Sequence, residues 1–140
     1  MIKILLKCLL YSWLSIIITA SFCHALNLNN KCYKSINPYF KSGYGGQCTA
    51  FAWGRTCEKK GIKLIFNNKS YPSAKYWYLY GPVSSLNIEK GNIPKKDSIA
   101  VWEGDTINLH GHVAYVEKVS ESRIWFNEAN VDTLVPDNKI

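Results

Sequence analysis

Between residues 47 and 60 the apolar positions fall at helical spacing. Ala50, Trp53/Gly54 and Cys57 recur on one side, while Arg55, Glu58 and Lys59 are placed to face water. This segment predicts a helix, and Gly61 follows it where a left-handed cap ends such an element. A shorter helix is predicted over residues 73–80, with Ser73 as N-cap after Pro72 and Gly81-Pro82 as the stop. Trp77 within it reads as core. The periodicity then changes. Residues 98–102 read as a strand after a turn over 94–97, and Glu103-Gly104-Asp105 turns out of it. Residues 112–119 and 123–131 read as two more strands joined by Ser120-Glu121-Ser122. Residues 27–31 are polar and read as a loose lead-in. Helices first and antiparallel strands after predict an α+β domain.

The last two strands allow a register to be written down. A loop centred on Glu121 pairs Val116 with Phe126, Ala114 with Glu128 and His112 with Asn130, whereas a two-residue turn shifts everything by one. Alternation along strands then places His112, Ala114, Val116, Ile124, Phe126, Glu128 and Asn130 on one face, apolar at the turn end and polar at the other. That face is the one expected to pack under the helix of residues 47–60. The opposite face, with Val113, Tyr115, Glu117, Arg123, Trp125 and Asn127, is more mixed.

The N-terminus reads as a secretory signal peptide over residues 1–25. Lys3 and Lys7 start it, a mostly apolar run follows from Cys8 to Phe22, and Cys23-His24-Ala25 offers small residues at a cleavage site after Ala25. The run is short for a membrane span of roughly 20 residues, so cleavage is expected over retention as an anchor. Export to periplasm, cell envelope or the outside follows, with no stable membrane insertion once the leader is cut. Cleavage lowers the formal charge from +7 to +5, because it removes two lysines and no acid. Residues 26–140 suffice for a single domain, expected to be a monomer. A moderately basic surface favours anionic partners, but no interleaved aromatic and basic pattern argues for nucleic acid. No cofactor and no metal are expected.

Three cysteines remain after cleavage: Cys32, Cys48 and Cys57. An odd thiol in an oxidising compartment is either an intermolecular bridge or a reactive group. Cys48 and Cys57 lie nine residues apart on the predicted helix, roughly 13 Å along its axis at ~1.5 Å per residue. A disulfide needs Cα atoms within about 7 Å, which excludes that pair. Cys32–Cys57 is the expected bridge and leaves Cys48 free. A Cys32–Cys48 bridge, which would make the thiol redox-gated, and three inert thiols are the competing arrangements.

Gly45-Gly46-Gln47-Cys48-Thr49 places the spare cysteine where a glycine-containing loop runs into a helix. The first turn of a helix directs unpaired N–H groups and the positive end of its dipole at that thiol, which favours the thiolate, the nucleophilic form. A nucleophile and an imidazole far apart in sequence suit a cysteine hydrolase. Only His110 and His112 remain to supply the imidazole. His112 lies inside a predicted strand, and His110 precedes it at an exposed edge. Glu128 and Asn130 fall where the ring-orienting group is needed, and the Gln47 side chain with the Cys48 backbone N–H can form an oxyanion hole.

At these residues the chain resembles the CHAP family, the cysteine- and histidine-dependent amidohydrolase/peptidase domains. The likeness is carried by Gly46-Gln47-Cys48-Thr49, Trp77, Ser98-Ile99-Ala100-Val101-Trp102, Gly111-His112-Val113-Ala114-Tyr115-Val116-Glu117 and Ile124-Trp125-Phe126-Asn127-Glu128-Ala129-Asn130. It runs over roughly residues 40–131. The resemblance implies a papain-like α+β fold, with N-terminal helices packed on an antiparallel sheet. It also implies Cys48 as nucleophile, His112 as base, Glu128 orienting the imidazole and Asn130 assisting. The related NlpC/P60 hydrolases usually have an aspartate before the cysteine and often a second histidine as third residue. Gln47, and the lack of any histidine after His112, fit CHAP better. Two departures stand out. The chain ends ten residues after Asn130, where the family commonly adds a strand, and Asp97-Ser98 replace a usual glycine. The implied activity is an exported N-acetylmuramoyl-L-alanine amidase or peptidoglycan endopeptidase, with peptidoglycan or its peptide fragments as partner. An amidase on another substrate and a catalytically idle wall- or partner-binding module are the alternatives.

Overall fold

Cys48 opens the helix around which the other elements assemble. In a computed structural model that describes residues 27–66, 72–81 and 88–130, helix α2 spans Cys48–Lys60, with Gln47 as N-cap and Gly61 closing it at φ 68°. The leader expected at residues 1–25, Pro82 and everything after Asn130 lie outside the described residues. Two elements precede α2. Asn30 caps a 3-10 turn, Lys31–Tyr33, which takes in the last residue of the expected lead-in. Asn37 then caps the short helix α1, Pro38–Lys41, whose proline occupies the first turn, where a missing N–H costs nothing.

Asn37 is fully buried, and its amide joins these pieces. Nδ2 donates to the carbonyls of Cys32 (3.0 Å) and Ala50 (2.8 Å), while Oδ1 accepts from the Tyr39 and Phe40 N–H groups. Four bonds satisfy a buried amide that would otherwise carry a penalty of about 1–3 kcal/mol per unpaired group. A disulfide joins Cys32 to Cys57, with Cα atoms 5.6 Å apart, and leaves Cys48 as a free thiol. The Tyr33 ring lies so close over Gly54 that a Cβ there would collide with it. The N-terminal segment is thus crosslinked to α2 near its C-terminal end and hydrogen-bonded to it further back.

The residues from Cys48 to Cys57 are all buried, which overturns the expectation that Arg55 faces water. Arg55 is only 5% exposed and held by two carboxylates. Nε meets Glu117 Oε1 and Nη1 meets Glu58 Oε2, each at 2.6 Å, while the Tyr33 hydroxyl donates to the same Glu58 oxygen at 2.8 Å. Burial opposes the charge, but the hydrogen bonds to Glu117 and Glu58 outweigh it and hold the guanidinium ionised. A charged residue on a helix reads as surface unless its partners, here one from a distant strand, are known.

The second predicted helix divides into a 3-10 turn, Ala74–Tyr76, and the helix α3, Trp77–Tyr80. Ser73 is its N-cap by position but makes no side-chain cap bond. Trp77 is core, as its composition implied. Its Nε1 donates to the Tyr39 hydroxyl and the Pro72 carbonyl, and its ring packs on Phe66.

Among the described residues a three-stranded antiparallel sheet runs in the order β1 (Ile99–Trp102), β2 (His112–Val119), β3 (Ile124–Asn127). The α+β expectation holds. The register matches at Tyr115↔Asn127 and Val116↔Phe126 and departs toward the turn. Toward the turn, Val119 faces Ile124 across a four-residue loop, and an irregularity at Glu117 restores the written register. At the other end β3 stops at Asn127, so neither Ala114↔Glu128 nor His112↔Asn130 is a strand pair.

The body of α2 packs on the other face of the sheet, and on the expected face its first residue, Cys48, meets His112. Val113 belongs to the core cluster with Ala50, Trp53 and Cys57, and Ile99 and Val101 pack against it. By alternation these share a face with Tyr115. That face reads as mixed because its polar tips are satisfied elsewhere: the Tyr115 hydroxyl donates to Asp97, and Glu117 holds Arg55. His112, Trp102 and Phe126 meet ring to ring on the opposite side.

Candidate active site

Cys48 is the first residue of α2 and His112 the first of β2. The site therefore forms where the start of the helix abuts the start of the central strand. The thiol is 8% exposed and hydrogen-bonded to the His112 side chain, with further backbone bonds from Val113 and Thr49. Thr49 N–H belongs to the first helical turn, whose donors no helical carbonyl reaches. His112 Nε2 lies 2.7 Å from Glu128 Oε2, which leaves Nδ1 as the ring nitrogen for the sulfur. The three groups form a hydrogen-bonded chain, carboxylate to imidazole to thiol.

The ionisation of the pair follows from these contacts. Burial works against the thiolate, but the His112 hydrogen bond, the backbone bonds and the imidazolium charge outweigh it, and the thiol titrates below its ordinary value. The imidazole titrates above its ordinary value, first because of the bond to Cys48, against the opposing effect of burial, and further because of Glu128. A lowered thiol and a raised imidazole both favour the thiolate–imidazolium form of the coupled pair.

The ring is held in place by a residue that sequence reasoning treated only as strand. Trp102 pairs with His112 across β1 and β2, and its indole lies 5.6 Å from both the His112 ring and the Phe126 ring. The signal was present in Ile99-Ala100-Val101-Trp102, but only the register shows that its last residue faces the histidine.

Gln47 and Asn130 come together, and Asn130 does not join His112. Asn130 Nδ2 donates to Gln47 Oε1 at 2.7 Å, with the Asn130 backbone in the left-handed region at φ 56°. Gln47, Cys48, His112 and Asn130 all line a groove of about 370 Å³, whose walls include Tyr39, Tyr44, Ser73, Asn108 and His110. His110 is an exposed wall residue whose carbonyl accepts from Lys75 N–H; His112 is the histidine against the thiol. Gly45 lies against the Phe40 ring, where a Cβ would collide, whereas a Cβ on Gly46 would meet nothing. Gly111, at φ 71°, lies against the Trp102 carbonyl and the Lys75 backbone, where a side chain would collide. Among the described residues no cluster of three or more histidine, cysteine or acidic side chains is arranged to hold a metal. No helix among them is long and apolar enough to cross a membrane.

The Glu128 contact gives a pH prediction. Thiolate–imidazolium exists above the lowered thiol pKa and below the raised imidazole pKa. Glu128→Gln removes a group that favours the imidazolium, so His112 loses its proton at lower pH. The upper limb of the pH profile of Cys48 alkylation by iodoacetamide, where the thiolate loses its imidazolium partner and becomes the freer nucleophile, is expected to move down in pH. An unchanged limb would show that Glu128 does not act on His112.

Compared with known protein families, the chain matches the family model described as CHAP domain over residues 37–130, more than half of its 140 residues. No curated protein and no solved structure matches it.

Proposed function

The chain belongs to the CHAP domain family, and on that premise we propose that it is an exported cysteine amidase or endopeptidase acting on bacterial peptidoglycan. Family membership supports a hydrolase of the amidase/peptidase type related to peptidoglycan hydrolases. The observation that carries the finer reading is the chain of hydrogen bonds from Glu128 through His112 to a lowered-pKa thiol at the wall of an open groove. The leader read at residues 1–25 and the basic charge support an activity at the envelope, beside an anionic polymer.

In this mechanism Cys48 Sγ attacks the amide carbonyl carbon, and the π electrons move onto oxygen. The Cys48 backbone N–H and Gln47 Nε2 donate to that oxyanion. As the intermediate collapses the C–N bond breaks, His112 gives its proton to the leaving nitrogen, and a thioester remains on Cys48. Water then attacks the thioester while His112 takes its proton, and a second collapse releases the carboxylic acid and the thiolate. Glu128 holds the ring in the required orientation throughout.

The test is incubation of the full chain with purified peptidoglycan, following new amines and new reducing sugars separately. New amines without new reducing ends are the expected result. Reducing ends alone would mean glycosidic cleavage, and neither product would point to another amide substrate or to a binding role.

A further inference from the structure

The amide of Asn130 is hydrogen-bonded to Gln47 and not to the imidazole of His112. Its partner is Gln47, on the far side of the nucleophile in sequence and 83 residues away. We infer that Asn130 is a positioning residue for the oxyanion donor: it fixes which end of the Gln47 amide faces the reacting carbonyl. This rests on the reading of the site as a cysteine hydrolase and assigns a task within it.

The chemistry of the two amides carries the inference. A glutamine side chain presents a donor at one end and an acceptor at the other, and rotating it by half a turn exchanges them. Only the donor end stabilises an oxyanion; the acceptor end repels it. Asn130 Nδ2 donates to Gln47 Oε1, which occupies the acceptor and leaves Nε2 as the free end on a residue that lines the groove beside Cys48. Gln47 makes no cap bond to its own helix, so α2 does not fix its side chain. His112 is already supplied on both ring nitrogens, by Glu128 and by Cys48, and has no vacancy for Asn130.

The backbone adds an independent reason for an asparagine here. β3 ends at Asn127, and the chain turns at Asn130 through φ 56°, a region that asparagine tolerates and most side chains avoid. That turn takes the residue out of the strand register that would have placed it opposite His112. Asn130 therefore satisfies two requirements, a left-handed backbone and an amide donor, whereas glycine satisfies only the first. Aspartate suits the backbone but offers only acceptors, and would draw Nε2 toward itself and turn Oε1 to the oxyanion.

The experiment compares Gln47→Ala, Asn130→Gly, Asn130→Asp and the Gln47→Ala/Asn130→Gly double variant in the full chain. Two readouts apply. The first is acyl transfer from p-nitrophenyl acetate, which passes through an oxyanion whatever the natural substrate is. The second is the pH profile of Cys48 alkylation by iodoacetamide, a displacement at carbon that forms no oxyanion. Gln47→Ala is expected to lower the acylation kcat by about 100-fold with little change in KM, the usual loss for one oxyanion donor. Asn130→Gly should lose at least tenfold, Asn130→Asp more than Asn130→Gly, and the double variant no more than Gln47→Ala alone.

The alkylation profile of Asn130→Gly should overlay the wild type. A profile displaced as in Glu128→Gln would overturn the inference and return Asn130 to the imidazole, and so would losses that multiply in the double variant. If the protein acylates normally but leaves peptidoglycan intact, the wall reading fails and this assignment stands. If Cys48 is alkylated but never acylated, the hydrolase reading fails first.

Discussion

Cys48→Ala and His112→Ala are each expected to lower the release of amines from peptidoglycan by about 10⁴-fold or more, and the double variant should be no slower than the worse single one. Groups that act as one unit show this non-additivity, because once the unit is broken the remaining member has nothing to do. Cys48→Ala removes the nucleophile itself. Alanine is the best helix former, and the change is made in the first turn of α2, so the fold should persist. His112→Ala leaves the sulfur but takes away the bond and charge that lower its pKa. Burial then pushes the thiol up, and the thiolate becomes scarce at neutral pH.

Two measurements separate these effects. Amine release reports turnover, and the rate of iodoacetamide alkylation of Cys48 reports the thiolate, so His112→Ala should be slow in both. Residual turnover within tenfold of wild type in Cys48→Ala would remove Cys48 from the mechanism. Unchanged alkylation in His112→Ala would mean that the helix start and the Val113 and Thr49 bonds suffice to ionise the thiol alone.

How much of this was legible in the chain varies with the range of the interactions involved. Helix α2 was readable to within a residue at its N-terminus because spacing, capping and Gly61 all agree locally. β2 was readable end to end because Gly111 and Ser120 bracket an apolar run. Cys48 and His112 could be named as candidates from local chemistry, but their contact is a property of the packed elements. What could not be read was non-local. The burial of Arg55 depends on Glu117, 62 residues away, and the choice of sheet face depends on the same ion pair and on Asp97 taking the Tyr115 hydroxyl. The register of β2 and β3 was correct where it was anchored by alternation at Val116 and failed where β3 ends, since nothing in Asn127-Glu128-Ala129-Asn130 announces a left-handed residue. That failure relocated Asn130 from His112 to Gln47, and it is where the site differs from its sequence reading.

The largest expected effect on stability belongs to the Cys32–Cys57 disulfide. It spans 25 residues, and in the chain-entropy model a crosslink of that size contributes on the order of 3 kcal/mol by restricting the unfolded chain. Domains of this size are stable by about 5–15 kcal/mol in total, so the bridge is a substantial share. The sulfurs are also part of the core: Cys32 and Cys57 are 5% and 6% exposed and belong to the cluster that includes Trp53 and Val113. Replacing both by alanine therefore removes the crosslink and some packing together, whereas reducing the wild type removes the crosslink alone. Urea unfolding of the oxidised protein, the reduced protein and the Cys32→Ala/Cys57→Ala variant separates the two contributions. The reduced form should lose about 3 kcal/mol, and the double variant somewhat more. The m-value should fall when the bridge is intact, because a crosslinked unfolded chain exposes less surface. Equal midpoints for oxidised and reduced protein would show that the Asn37 bonds to the Cys32 and Ala50 carbonyls, with the Tyr33 ring over Gly54, already hold the N-terminal segment on α2 and that the crosslink adds nothing to them.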